Sequence, residues 1–231
     1  MDNKGSVMVV SPHPDDAEFG ASGTVVQMVR QGREVNYVIC TNGDKGTSDR
    51  SVKPADLART RRKEQQEAAR VLGVKDVIFL DIADQQLENT AELRKTLVEL
   101  IRIYRPATMI TVDPYNYYFW WHRDHRGCGQ AVMDAIFPYA RDHLSYPDLL
   151  EKGLEPHKVN ELLLFNTDKP NYRVDITATF KLKLEALACH YSQINEMGGE
   201  TEKKIREWSR QLAEGEEYEL AETFNRVDMW W

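Results

Sequence analysis

The sequence predicts an α/β sandwich with a mostly parallel sheet, on three observations. Four short apolar runs, rich in β-branched residues, alternate with helical stretches. Each run closes on turn-forming residues, the mark of a buried strand. The segments whose residue types carry chemistry follow directly after those runs. Alternation of this kind stacks parallel strands between two helical layers, with right-handed crossovers. Ligands of such sheets gather beyond the carboxyl ends of the strands.

The first run, SVMVVSP, ends in a proline and the second, EVNYVICTNG, in Asn42-Gly43. DVIFLD is the third, and ATMITVDP, again closed by proline, is the fourth. Helices are predicted between them over 22–33, 55–72 and 89–104. In the second of these, Leu57, Glu64, Ala68, Val71 and Leu72 recur at helical spacing and Gly73 is a stop signal. The polar stretch 42–54, with two glycines, reads as a mobile loop that covers a site. Farther on, a helix is expected over 128–141, strands at LLLFNT and YRVDIT, and helices over 177–195 and 200–213. The expected whole is one domain of 231 residues: a Rossmann-like three-layer core over 1–142 and a smaller C-terminal section over 143–231 that completes the pocket.

Composition removes several classes of function. The net charge is −7 and the longest basic cluster is confined to 59–63. Nucleic acid is disfavoured as a partner, since phosphate neutralisation supplies most of that affinity. No apolar stretch approaches the length of a bilayer span, and the first residues lack a signal-peptide pattern. The three cysteines, Cys40, Cys128 and Cys189, are odd in number and widely spaced, which implies reduced thiols and a cytoplasmic setting.

Two clusters carry the chemistry: His13-Pro14-Asp15-Asp16 after the first strand, and His122-Arg123-Asp124-His125 after the fourth. Hydrolytic zinc takes three nitrogen or oxygen ligands and keeps one position open for water. His13 and Asp16, three apart at the start of a helix, and His125 from the neighbouring loop suit it. Asp15 is then free to take a proton from zinc-activated water. His122, if protonated, stabilises a developing oxyanion, and Asp124 orients one of the histidines. Either aspartate alone would read as a helix cap; it is the convergence of the two clusters that favours a site.

These clusters resemble the LmbE-like, or PIG-L, family of zinc deacetylases. Arg61-x-x-Glu64, Ala68-Ala69-x-x-Leu72-Gly73, Phe79-Leu80 with Asp84, and Lys183-x-x-Ala186-Leu187-x-x-His190-x-Ser192-Gln193 extend the resemblance over nearly the whole chain. The resemblance implies hydrolysis of the acetamide of an N-acetylglucosamine-type substrate. His13, Asp16 and His125 would be zinc ligands, Asp15 the general base, and His122 the oxyanion stabiliser with Asp124 behind it. Arg61 or Arg62, together with Asp84, would contact the sugar, and His190 and Gln193 would reach the site from the second half. Two departures stand out. The family usually has Glu directly after the two aspartates, whereas here Ala17 intervenes before Glu18. Five aromatics, from Tyr117 through Trp120 and Trp121, precede His122; they read equally as a substrate platform or a subunit contact, and family members often form homo-oligomers. An amidase acting on a sugar–thiol conjugate and a two-metal phosphoesterase remain alternatives. A dinucleotide binder is disfavoured by the absence of Gly-x-Gly-x-x-Gly after the first strand.

Overall fold

The computed structural model describes residues 5–116, 122–196, 198 and 200–231. Seven strands form one sheet: β1 (Val7–Ser11), β2 (Val35–Thr41), β3 (Asp76–Ile82), β4 (Thr108–Val112), β5 (Glu161–Phe165), β6 (Tyr172–Asp175) and β7 (Ala221–Asp228). Their order is β3-β2-β1-β4-β5-β7-β6. The first five in that order are parallel, and β7 pairs antiparallel with both β5 and β6. Every residue of β1, β2 and β4 is buried, which is why these strands read as continuous apolar runs.

The helices are α1 (Asp16–Arg30), α2 (Pro54–Leu72), α3 (Ala91–Tyr104), α4 (Arg123–Asp134), α5 (Pro147–Glu151), α6 (Phe180–Cys189), α7 (Tyr191–Ile194) and α8 (Thr201–Leu212). A π-helical turn, Ala135–Ala140, continues α4. Helices α1, α2 and α6 pack together, as do α3, α4 and the π turn. Gly73 ends α2 at φ 77°, as its position after the last apolar residue predicts. No helix among the described residues is long and apolar enough to cross a membrane.

The fold departs from the sequence expectation in four places. Helix α1 begins at Asp16, not at residue 22. Gly20 and Gly23 lie inside α1, where a Cβ at Gly20 would stand 2.3 Å from the Phe165 ring and one at Gly23 2.7 Å from Ile176. They are helix residues that let α1 approach its neighbours. Helix α4 starts at Arg123 rather than at 128. The helix expected over 177–195 is two, α6 and α7. Strand β7 was not expected: its buried residues include Glu222, which breaks the apolar pattern.

The chain leaves β1 for β2 and β3, then returns to β4 on the other side of β1. The crevice of a doubly wound sheet opens where the winding reverses, between β1 and β4. Both sequence clusters follow these two strands.

Candidate metal centre and active site

Around the carboxyl end of β1 the backbone is unusual. Asp15 stands at the N-cap of α1 with φ 104° and ψ −31°, and its side chain makes no cap hydrogen bond. Positive φ is costly for any residue with a Cβ. Its effect here is to keep the carboxyl out of the helix terminus. Asp16 turns back instead, its Oδ2 accepting from the His13 backbone N–H at 3.0 Å.

The same Oδ2 lies 3.0 Å from His13 Nδ1 and 3.3 Å from His125 Nε2. One carboxylate oxygen is thus shared by two imidazoles, one from the loop after β1 and one from α4, on the two sides of the switch point. A tetrahedral zinc with bonds of 2.0–2.1 Å would space its ligand atoms by about 3.3 Å, so these donors fit a divalent metal. His125 Nδ1 is buried without a hydrogen-bond partner. On its far side His13 Nε2 meets Asp84 Oδ1 at 3.1 Å and Asp124 Oδ2 at 3.2 Å. A carboxylate on the second nitrogen of a liganding imidazole is the usual way its orientation and basicity are set.

This crowding shifts proton affinities. Burial works against the charge on His13, but the hydrogen bonds it donates to Asp124, Asp16 and Asp84 outweigh it and lift its pKa well above the ordinary value. Asp16 is held well below the usual carboxylate range: burial raises it, and the charges and hydrogen bonds of His125 and His13 more than offset that. Asp15 goes the other way. Burial lifts it to about 6, against the opposing charge of Arg61 and with a further push from Asp16. Burial, then the charge of His13, lowers His122.

His122 is the N-cap of α4, and its Nδ1 accepts from the Asp124 backbone N–H at 3.2 Å. That bond requires an unprotonated Nδ1 and leaves the proton on Nε2. Its ring lies edge-on to His13, with centroids 4.7 Å apart. Asp124 was expected behind His122. Its carboxylate instead reaches His13 and accepts from Gln85 N–H at 2.6 Å; only its backbone serves His122. Helix α4 comes this close because Gly129 faces the end of β4: a Cβ there would lie 2.5 Å from the Val112 carbonyl.

The arginine ambiguity resolves by helix face. Arg61 is 4% exposed, donating to Pro14 O at 2.6 Å, to Asp15 Oδ2 at 3.2 Å, and to the Gly43 and Lys45 carbonyls. Arg62 is exposed, pairs with Asp81 and lies over Phe79; none of its recorded partners belongs to the cluster. Asp84 is buried against His13, and its N–H donates to Asp44 Oδ1 at 3.1 Å. His190 is fully buried, its Nε2 3.3 Å from Glu18 Oε2, behind α1 rather than on an open surface. Trp120 and Trp121 lie outside the described residues. The stretch expected as a mobile loop is tied down by Arg61 at one end and by Glu196, which accepts from Thr47 and Ser48, at the other.

Sequence reasoning passed over Gln65, whose Oε1 accepts from the Asp15 N–H at 3.1 Å. It also passed over the buried pair of Lys183 and Glu222, 2.7 Å apart. Lys183 donates to the Glu18 and Phe19 carbonyls of α1, and Glu222 accepts from the N–H groups of Gly23 and Thr24. Gln65 had only its helix-face position as a signal; Lys183 stood in the resemblance motif, but nothing in the sequence paired it with Glu222.

Fold and donor set together define an α/β protein with a candidate divalent-metal centre at the switch point of its sheet. The chain belongs to the PIG-L family: residues 8–136 match the family described as GlcNAc-PI de-N-acetylase. It is 37% identical over 190 residues to the diacetylchitobiose deacetylase of Thermococcus kodakarensis, covering 82% of this chain and 70% of that protein. A 1D-myo-inositol 2-acetamido-2-deoxy-alpha-D-glucopyranoside deacetylase of Mycobacteroides abscessus is 27% identical over 228 residues, 81% of each chain. The solved N,N'-diacetylchitobiose deacetylase of Pyrococcus horikoshii superposes with a TM-score of 0.92 at 34% identity, over 98% of this chain and 85% of that one.

Proposed function

We propose that the chain hydrolyses the acetamide of an N-acetylglucosamine-type substrate, releasing acetate and the free amino sugar, with zinc held by His13, Asp16 and His125. The observation that carries this reading is the single Asp16 oxygen shared by two imidazoles, next to a partly buried carboxyl that makes no cap. Membership of the PIG-L family and the deacetylase names of its relatives agree with it. Bound zinc would polarise the acetamide carbonyl and lower the pKa of water.

The protein's own groups divide the remaining work. Asp15, with its pKa near 6, has a proton affinity suited to taking a proton from water near neutral pH and returning it to the departing nitrogen. His122 donates from Nε2 as a neutral imidazole to the carbonyl oxygen as negative charge builds there, a role that needs no imidazolium. Asp84 and Asp124 hold His13, and Arg61 holds Asp15. The three cysteines, odd in number and widely spaced in the sequence, support a cytoplasmic setting.

The two-metal phosphoesterase reading needs a carboxylate that bridges two metals and more ligands than one cluster supplies; the two candidate donor groups among the described residues overlap at His13 and His122, and a metal content near one per chain would count against it. Acetate release should be measured from N,N'-diacetylchitobiose, from N-acetylglucosaminyl malate and inositol conjugates, and from a sugar–thiol conjugate. At least one should be cleaved, activity should vanish with a chelator, and zinc should restore it. Zinc-loaded protein that releases acetate from none, or that ignores the chelator, refutes the proposal.

A further inference from the structure

The Pro14–Asp15 peptide is gripped at both poles by one helix. Its carbonyl, Pro14 O, accepts from Arg61 Nη2 at 2.6 Å. Its N–H, on Asp15, donates to Gln65 Oε1 at 3.1 Å. Arg61 and Gln65 are four residues apart on α2 and both are buried, so they project from the same face. A backbone N–H can only donate, which fixes the Gln65 oxygen toward Asp15 and its nitrogen toward Glu18, where Nε2 donates to Oε1 at 2.9 Å. The other Glu18 oxygen faces His190, and neither residue has measurable exposure. A buried amide is thus aimed at one end by a buried carboxylate and grips at the other a residue held at φ 104°.

We propose that Gln65, aimed by Glu18 and His190, is a positioning residue that acts through the Asp15 backbone: with Arg61 it clamps the Pro14–Asp15 peptide so that the Asp15 carboxyl points at the reacting water. This rests on the role given to Asp15 above. The clamp explains why Glu18, displaced one place by Ala17, is buried with a defined partner. It also explains why His190 lies behind the site without opening onto it.

The test compares Gln65→Met, Gln65→Glu and the exchange Glu18→Gln with Gln65→Glu in the zinc-loaded protein. Gln65→Met keeps the volume and deletes both hydrogen bonds. Gln65→Glu sets two carboxylates face to face, whereas the exchange restores a donor at residue 18 and an acceptor at residue 65. With N,N'-diacetylchitobiose as probe, kcat should fall about tenfold to a hundredfold in both single variants, as expected when a reacting group is misplaced by a fraction of an ångström to an ångström. KM should stay within about threefold, as expected when only transition-state interactions are lost. The exchange should recover most of the lost kcat. Hydrogen exchange at the Asp15 amide should speed up about tenfold or more in Gln65→Met, with zinc content unchanged.

Unaltered kcat and Asp15 exchange in Gln65→Met, or no recovery by the exchange, overturns the clamp. So does a loss that merely tracks zinc content or folded fraction. If the wild-type protein releases no acetate, the deacetylase reading fails by itself, and Asp15 amide exchange still decides the clamp.

Discussion

Replacing Asp15 with Asn should separate activity from stability in opposite directions. Asn is close to Asp in volume and is among the residues that tolerate positive φ, so the backbone at φ 104° stays in place. The variant removes the proton-accepting carboxyl, and loss of such a group costs about 10²–10⁴ in kcat. Stability of the metal-stripped protein should rise. Burial lifts the carboxyl from 3.8 to about 6, and each pKa unit is about 1.36 kcal/mol, so ionised Asp15 weakens the fold by about 3 kcal/mol. Because the folded value exceeds the unfolded one, the protonated carboxyl favours the fold. That advantage is complete below pH 3.8 and declines as pH rises through 6. Asn carries no such penalty. At pH 8 the variant should therefore melt about 6–12 °C above wild type, taking about 2–4 °C per kcal/mol at this size, and the gap should close toward pH 4. Acetate release by the zinc-loaded protein and thermal unfolding of the chelated protein at the two pH values read both effects. A variant within tenfold of wild-type kcat refutes the base assignment; equal melting points at pH 8 refute the account of Asp15 as a carboxyl strained by burial.

Asp16→Asn should lower zinc affinity at least about tenfold, since it weakens the oxygen shared by His13 and His125; metal content after dialysis against a weak chelator reads it. Lys183→Met strands the buried Glu222 carboxylate and two α1 carbonyls, so it should destabilise by about 3–5 kcal/mol, measured by urea unfolding. A milder cost after adding Glu222→Gln would confirm that the stranded charge is the cause. Arg62→Ala should leave kcat within about twofold and stability within about 0.5 kcal/mol, because Arg62 pairs only at the surface with Asp81.

The parallel half of the sheet and the two clusters proposed to hold the metal were legible for a shared reason: each is written in short contiguous strings. Buried strands appear as unbroken apolar runs, and the motifs are the chemistry-bearing strings that follow β1 and β4 and lead into the next helix. What was not legible depends on residues far apart in the chain. The need for Gly20 shows only once Phe165 is seen against it. Glu222 hides β7 because its partners are backbone N–H groups some 200 positions earlier. The choice between Arg61 and Arg62 turns on a 100° rotation around α2, which the spacing of Leu57, Arg61, Gln65 and Ala68 on its buried face would have settled. Asp124 was placed behind the wrong histidine because the helix start at Arg123 turns its carboxylate toward His13 and its amide toward His122.

The family match ends at residue 136, yet β7 contributes the carboxylate that ties down α1 through Gly23 and Thr24. During synthesis the ribosome delivers His13, Asp16 and His125 early, but the strap on α1, the helix that Asp16 opens, emerges only with residue 222. Until then the growing chain also presents the unpaired outer edge of β5, Glu161–Phe165, four of whose five residues end up buried. An apolar strand edge left waiting is a template for association with other chains. A nascent polypeptide of this kind therefore gains both the anchor of α1 and the cover for its β5 edge in one late event, the docking of β7 between β5 and β6.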